Sequence, residues 1–296
     1  EKKIVGGKNG FGFKLVLIWS TWGKIETVDH VRGLSYTQEF MHNLNEIKKP
    51  KITKCKKKPY TEVTFKPDYT RLGLENITPD MLSLFKRRVY DIAAVTDKSV
   101  KVSLNDVVVP VQNYQKYVDM YIGSKAETKR VYETANERWE YAVCLAKKEE
   151  FTQVSTVNGI FTSKGGKHVD YILNQIVRKL TAYIKKKKKL DVKATTIKEQ
   201  LMLFVRCDIV NPTFDSQTKD YMTTPISKFG STCEVSDKFI EGIAKMGVME
   251  AACALTEVKE NNNAKKTDGA KTKSVRGIPK LIDANLAGTK ESERCV

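Results

Sequence analysis

Long apolar stretches are missing from this chain of 296 residues. No run approaches the roughly 18 residues that a membrane span needs, so no spanning segment is expected. Histidine is scarce: His30, His42 and His168 are the whole supply, which argues against a histidine-rich zinc site. The six cysteines, Cys55, Cys144, Cys207, Cys233, Cys253 and Cys295, are scattered without a Cys-x-x-Cys pair. In a chain of this size that spacing reads as reduced thiols of a cytosolic or nuclear protein. No metal ligands are proposed. Acidic residues are outnumbered: 35 Asp and Glu stand against 52 Lys and Arg, a formal net charge of +17. The excess implies a polyanionic partner, with nucleic acid first and an acidic membrane or protein second. A basic protein without such a partner is the plain alternative.

What is present suffices for a sizeable core. Hydrophobic residues make up 41% of the chain, and the length fits about two domains. The opening Glu1-Lys2-Lys3-Ile4-Val5-Gly6-Gly7 has no initiator methionine and does not read as a signal peptide. The chain is expected to begin inside a larger protein.

Residues 1–105 read as mixed α and β. Lys14–Trp19 is apolar enough for either a buried helix or a strand. Tyr60–Phe65 alternates as a strand does, up to Pro67. Thr78-Pro79 marks a helix start, with Thr78 as N-cap and Pro79 at the first helical position. Met81, Leu82, Phe85, Val89 and Ile92 are its expected inward face. Val100–Leu104 and Val107–Val109 predict two strands across a turn at Asn105-Asp106. In the second half, the charged stretch Ala126–Glu149 is expected to be helical, and Phe151–Phe161 to be strand. Val169, Ile172, Ile176, Val177, Leu180 and Ile184 mark an amphipathic helix that ends in Lys185–Lys189. Leu201–Val210 reads as a buried strand, and Ser236 as the cap of a helix with Phe239, Ile240 and Ile243. From Asn261 to Lys273 the polar composition predicts a linker or disordered loop.

Two stretches carry chemistry. In Gly6-Gly7-Lys8-Asn9-Gly10-Phe11-Gly12-Phe13-Lys14, the glycines remove side chains where backbone must approach an anion or take positive φ. A helix starting there would aim free N–H groups and its dipole at a phosphate, and Lys8 and Lys14 add charge. The Gly-Lys-Ser/Thr ending of a P-loop is absent, and a glycine-rich turn without a ligand remains open. In Asn211-Pro212-Thr213-Phe214-Asp215-Ser216-Gln217-Thr218-Lys219, an amide and a movable ammonium suit a terminal phosphate. A polar turn after a strand is the alternative.

Together these two stretches resemble the nucleotide site of the eukaryotic-type type IIA DNA topoisomerases. Gly7–Lys14 is similar to that family's Gly-Arg-Asn-Gly-Tyr-Gly-Ala-Lys, with Lys8, Phe11 and Phe13 as departures. The nonapeptide Asn211–Lys219 is similar to its signature almost throughout. Val157–Tyr171 resembles the first transducer strand and helix, Arg87–Ala93 the end of the ATPase domain, and Gly277–Asn285 the segment leading to the metal-binding cleavage module. The departures at Phe11 and Phe13 suggest a divergent source, such as a large DNA virus or a protist.

The resemblance implies an α+β chain. Residues 1–108 would be the C-terminal part of an ATPase sandwich of the gyrase, heat-shock-chaperone, histidine-kinase and mismatch-repair type. Residues 109–260 would be an α/β transducer, and 261–296 a linker toward the cleavage module. ATP with Mg2+ would be the cofactor. Gly7, Lys8, Asn9, Gly10, Phe11, Gly12, Phe13 and Lys14 would cradle it, and Thr64 would lie near the adenine. Gln217, Thr218 and Lys219 would reach the γ-phosphate, with Lys219 catalytic, and His168 would be structural. Lys187, Lys188 and Lys189 would face double-stranded DNA, although a solvated helix end explains five lysines equally well. The implied partners are DNA and a second copy of the chain, with no membrane. The implied compartment is the nucleus, or cytoplasmic replication sites or the virion for a viral protein. The family's general-base carboxylate and metal-holding asparagine lie upstream of the glycine loop and have no counterpart in this sequence, so little turnover is expected from it alone. A mismatch-repair-type ATPase is the runner-up enzyme, against which the Gly277–Asn285 stretch argues; a basic DNA-binding scaffold with a non-hydrolysing nucleotide site stays open.

Overall fold

The computed structural model describes residues 2–267, Lys8 and Gln112 excepted. It divides into two units: Glu1–Gln112 with Val210–Pro212, and Asn113–Ile209 with Thr213–Val296.

The first unit opens with helix α1 (Phe11–Ile18). Strands β1 (Ser20–Asp29), β2 (Leu34–Met41), β3 (Glu46–Ile47), β4 (Lys51–Lys54) and β5 (Thr61–Pro67) follow and form one antiparallel sheet. β2 lies between β1 and both short strands, so β3 and β4 share one sheet edge. Direct pairs set the faces: Gly23 opposes Phe40 and Phe65, and Ile25 opposes Val63. The other face carries Lys24 opposite Thr64 and Glu26 opposite Glu62. Strand period 2 thus gives one apolar and one polar face. α1 covers the apolar side, where a Cβ on Gly23 would come within 2.4 Å of Leu17 Cδ2. The ring of Phe13 meets that of Phe40 edge-on at 6.0 Å.

Helix α2 (Pro79–Val95) begins as its sequence predicts, with Thr78 Oγ1 accepting from Met81 N at 3.2 Å. Its inward face differs from the expected one. Asp91, Ala93 and Ala94 are buried, whereas Leu82, Phe85 and Ile92 are 42%, 48% and 46% exposed. The end of the helix lies against strand β6 (Ser103–Leu104), which pairs with β7 (Val107–Val108) in a hairpin, and its buried face carries small residues. Asn105 and Asp106 form the hairpin turn at φ 50° and 63°, the left-handed pair that a two-residue turn demands.

The second unit is a sandwich of helices about a five-stranded sheet. Its elements are α3 (Tyr114–Ile122), β8 (Arg130–Asn136), β9 (Trp139–Leu145), β10 (Thr152–Val157), β11 (Ile160–Phe161), β12 (Gly165–Gly166) and α4 (Lys167–Lys188). Then come α5 (Ala194–Glu199), β13 (Leu201–Cys207), β14 (Tyr221–Met222), α6 (Asp237–Ile243) and α7 (Met249–Thr267). The sheet order is β11-β10-β13-β9-β8, with β10 and β13 parallel and the other pairs antiparallel. Between the parallel strands runs α4, the crossover such a pair requires. Ile172, Ile176, Leu180 and Ile184 of α4 are fully buried in one core with Trp139, Tyr141, Leu203 and Val205. α3 lies on the opposite face, where Tyr121 meets Phe204 edge-on at 5.7 Å.

Two sequence expectations fail in this unit. The stretch Ala126–Glu149, expected helical, holds the β8–β9 hairpin. Its charges mask the β-branched and aromatic set Val131, Tyr132, Thr134, Trp139, Tyr141 and Val143, which favours a pleated, half-buried surface. The segment from Asn261, expected to be linker, continues helix α7 as far as Thr267. The rest of that linker, Cys295 and the Gly277–Asn285 motif lie outside the described residues.

Candidate nucleotide and nucleic-acid sites

α1 starts directly on the glycine turn. Gly10 is its N-cap at φ 66°, ψ 10°, and no side chain caps the helix. That left-handed backbone costs an ordinary L-residue roughly 1–2 kcal/mol, which glycine avoids. The first N–H groups of the helix therefore lack an intrahelical acceptor. A Cβ built on Gly7, Gly10 or Gly12 would meet nothing within 4 Å, so the approach to those donors is open. Asn9, Phe11 and Lys14 are exposed around the turn, and Phe13 is turned down onto Phe40. This arrangement suits an anion. Lys8 lies outside the described residues. Thr64 does not join the turn: it projects from the polar sheet face beside Lys24, opposite to the face that α1 covers.

The Gln-Thr-Lys stretch forms the tip of a narrow hairpin in the second unit. Thr223 N donates to Thr213 O at 2.9 Å, and Asp215 N to Tyr221 O at 3.1 Å. Lys219 N closes the tip on Ser216 O at 3.2 Å. Lys219 itself sits at φ 60°, a conformation uncommon outside glycine and asparagine that recurs at functional positions. Gln217 and Thr218 are exposed and Lys219 is half-buried. A hydroxyl–carboxylate chain stiffens the tip: Ser216 Oγ lies 2.8 Å from Thr218 Oγ1, which donates to Asp220 Oδ2 at 2.8 Å.

Asp220 was not singled out from the sequence, yet it links two of the motifs. Its Oδ1 accepts from Ser163 Oγ at 2.7 Å, and its carbonyl oxygen accepts from Lys164 N at 2.9 Å. Two residues on, β12 pairs with β14, Gly165 with Tyr221 and Gly166 with Met222. The nucleotide-type loop is thus bonded to the chain that starts α4. The signal in sequence was only its position next to Lys219.

α4 carries the lysine run at its far end. Lys185–Lys188 form its last turn and Lys189 is the C-cap at φ 56°, so the cations favour the helix dipole. Lys187, Lys188 and Lys189 are exposed, but their surroundings are not purely basic. Lys185 pairs with Asp191 at 2.9 Å, and Lys188 and Lys189 line a cleft with Glu250, Cys253 and Glu257. At the head of the same helix His168 is fully buried, with Nε2 3.2 Å from Thr162 Oγ1 and no partner for Nδ1. Burial pushes its pKa down to about 3, which makes it a neutral structural group. Among the described residues no group of three or more His, Cys, Asp or Glu is placed to hold a metal ion. None of their helices is long and apolar enough to cross a membrane.

An ATPase sandwich part followed by an α/β transducer is the class that this fold and these loops define. The family model described as DNA gyrase B matches residues 112–273. The chain is 44% identical over 299 residues to DNA topoisomerase 2 of Acanthamoeba polyphaga mimivirus, covering 100% of this chain and 23% of that protein. Its fold matches the ATPase region of Saccharomyces cerevisiae topoisomerase II with a TM-score of 0.79 at 41% identity, over 86% of this chain and 66% of that one. The ATPase and transducer domains of topoisomerase II from Balamuthia mandrillaris match with a TM-score of 0.81 at 35% identity, over 88% and 67%. The chain belongs to the eukaryotic-type DNA topoisomerase II family, as part of its ATPase and transducer region. It spans less than a quarter of the curated relative's length.

Proposed function

We propose that this chain is the ATP-binding and transducer part of an ATP-dependent type II DNA topoisomerase. In the intact enzyme, one DNA duplex would pass through a transient double-strand break in another. The observation that carries the nucleotide reading is Gly10 in left-handed backbone at an uncapped helix start, with open space around Gly7, Gly10 and Gly12. ATP binds with its phosphates against Gly7, Lys8, Asn9, Gly10, Phe11, Gly12, Phe13 and Lys14. Gln217, Thr218 and Lys219 bind the γ-phosphate, and Lys219 stabilises the charge that develops there. Thr64 is assigned to the adenine end of the nucleotide and not to its phosphates. Magnesium would accompany the nucleotide and offset phosphate charge; no residue is assigned to hold it, since among the described residues no group of three or more His, Cys, Asp or Glu is placed to do so.

The product of this site is a rearrangement. A loop that binds the γ-phosphate and is bonded through Asp220 to the head of α4 couples nucleotide state to the position of a 22-residue helix. Lys187, Lys188 and Lys189 at its other end contact the backbone of double-stranded DNA. The enzyme works as a homodimer and in the nucleus, or at cytoplasmic replication sites if the source is viral.

The test is ATP-dependent decatenation of linked DNA circles by the full-length parent and its Lys219→Ala variant. Decatenation by the parent, strongly reduced in the variant, supports the reading. Salt-sensitive DNA binding with no effect of ATP would replace it with a basic scaffold whose nucleotide site does not hydrolyse.

A further inference from the structure

A second cluster of lysines, in the first unit, is less compensated by carboxylates than the run at the end of α4. Residues 47–59 contain seven lysines, Lys48, Lys49, Lys51, Lys54, Lys56, Lys57 and Lys58, and no aspartate or glutamate. They lie along the edge of the first unit's sheet: Lys48 and Lys49 between β3 and β4, Lys51 and Lys54 on β4, and Lys56, Lys57 and Lys58 in the segment that follows. All seven are exposed. Lys48 is ion-paired to Glu46, and Lys57 sits 6.0 Å from the centre of the Tyr60 ring. Lys49, Lys51, Lys54, Lys56 and Lys58 have no carboxylate within ion-pair distance among the described residues. By contrast, the α4 lysines share their surface with Asp191, Glu250 and Glu257.

The geometry points to this arm as a binding surface for the phosphate backbone of duplex DNA, distinct from the lysines of α4. Among the described residues β4 pairs only with β2, so its other edge carries no strand there. Strand alternation places Lys51 on one face of that edge and Lys54 on the other. Lys56, Lys57 and Lys58 extend the row past the strand end. Such a line of ammonium groups matches a backbone that carries one charge per roughly 1.7 Å of helix axis. Lysine is a point charge without a planar fork, so the surface reads charge and not base sequence. Edge strands do carry lysine and proline to block pairing with other sheets, and Pro50 and Pro59 bracket this one. That role needs one or two charges on the strand. Three consecutive lysines beyond it only add mutual repulsion, unless a polyanion offsets it. The arm shows no exposed aromatic platform of the kind that stacks single-stranded bases.

The inference takes from the proposed function only that DNA is the polyanion. Its test does not depend on ATP. In the full-length parent, Lys51, Lys54, Lys56, Lys57 and Lys58 are replaced together by glutamine, and in a second variant by arginine. Binding to a short duplex is measured across salt concentration, with thermal unfolding as the folding control. The glutamine variant is expected to lose at least tenfold in affinity at about 0.15 M salt. Its slope of log affinity against log salt should flatten by about 3–4, from roughly 0.9 per phosphate contact. The arginine variant is expected to keep both. An unchanged slope in a folded glutamine variant overturns the proposal. If that variant instead self-associates with unchanged DNA binding, the lysines are an edge guard only. Loss of binding to phosphatidylserine vesicles with DNA binding intact would reassign the arm to a membrane surface. If decatenation fails while the slope change is present, the functional reading falls and the arm remains.

Discussion

Ser163 Oγ donates to Asp220 Oδ1 at 2.7 Å, across 57 residues of sequence. Asp220 directly follows Lys219, and Ser163 lies four residues before α4 begins at Lys167. Asp220 also accepts from Thr218 on its other carboxylate oxygen, so one side chain fixes the shape of the loop and its attachment. Asp220→Ala removes both bonds. Each is charge-assisted and worth about 1.5–3 kcal/mol when sheltered, less where water competes. The full-length parent carrying Asp220→Ala is expected to lose roughly tenfold in ATP turnover, the rate equivalent of about 1.4 kcal/mol. Asp220→Asn retains one acceptor and one donor and should recover most of it. Steady-state turnover of the two variants checks this; equal loss in both would show that the negative charge matters and the attachment does not.

The next contact along this path tolerates no side chain. Gly166 has φ 144°, and a Cβ there would lie 2.4 Å from Met222 O and 2.6 Å from Met222 N. These are backbone atoms, so they cannot swing aside. Gly166→Ala should break the pairing of β12 with β14 while leaving the core around Trp139, Ile176 and Leu180 intact. The expected outcome is a fall of a few degrees in the unfolding temperature of the second unit together with a large loss of ATP-driven strand passage. Amide exchange at Tyr221 and Met222 should accelerate in the variant, and unchanged exchange there would refute the account.

Much of this was legible in sequence where a residue type has one physical use. Thr78-Pro79, Ser236, the Asn105-Asp106 turn and the apolar spacing of α4 each dictate a local geometry, and each is found. The β8–β9 hairpin was not legible, because Glu127, Lys129, Glu133, Glu137 and Glu140 gave it a helix-like charge pattern. Strand identity there is set by cross-strand partners distant in sequence. The face of α2 failed for a related reason: periodicity finds an apolar stripe, but tertiary packing buried Ala93 and Ala94 instead. For the sites, residue types marked the glycine turn and the Gln-Thr-Lys loop, but each could equally be a plain turn, and the nucleotide reading came from the resemblance to the family. Asp220 could not, since a hydrogen bond across 57 residues leaves no local pattern. The Lys48–Lys58 arm was not singled out from the sequence, because its charge gains meaning only from its place on a sheet edge.

His168 predicts a pH dependence. Its pKa is lowered to about 3 by burial, while in the unfolded chain it returns to about 6.5. Between those values the unfolded state binds more protons than the folded one, so stability rises with pH. The neutral side chain's contribution is complete above about pH 6.5 and is lost as pH falls toward 3, at up to about 1.4 kcal/mol per pH unit. Urea unfolding of the parent between pH 5 and 7 should therefore show a steeper pH slope than the His168→Gln variant. Parallel slopes would mean that His168 remains partly solvated in the folded protein.

The last prediction concerns the start of α1. Gly10 holds φ 66° with open space where a Cβ would project, so alanine there meets no clash and pays only for its backbone. That cost is roughly 1–2 kcal/mol. The turn can avoid it by leaving the left-handed region, which would move the N–H groups of Phe11 and Gly12 away from their common direction. Gly12 provides the contrast: it lies within the helix without a positive φ, and open space surrounds it. Gly10→Ala is expected to weaken nucleotide binding by the full-length parent about tenfold. Gly12→Ala leaves the backbone in place and places only a methyl group in the phosphate's approach. A fluorescent ATP analogue titrated against both variants distinguishes the two effects. Loss in Gly12→Ala should depend on the presence of the β- and γ-phosphates and be small for adenosine monophosphate. Loss in Gly10→Ala should reach every phosphate that the helix start contacts. Equal affinities in both variants and the parent would show that the phosphates are not held at the start of this helix.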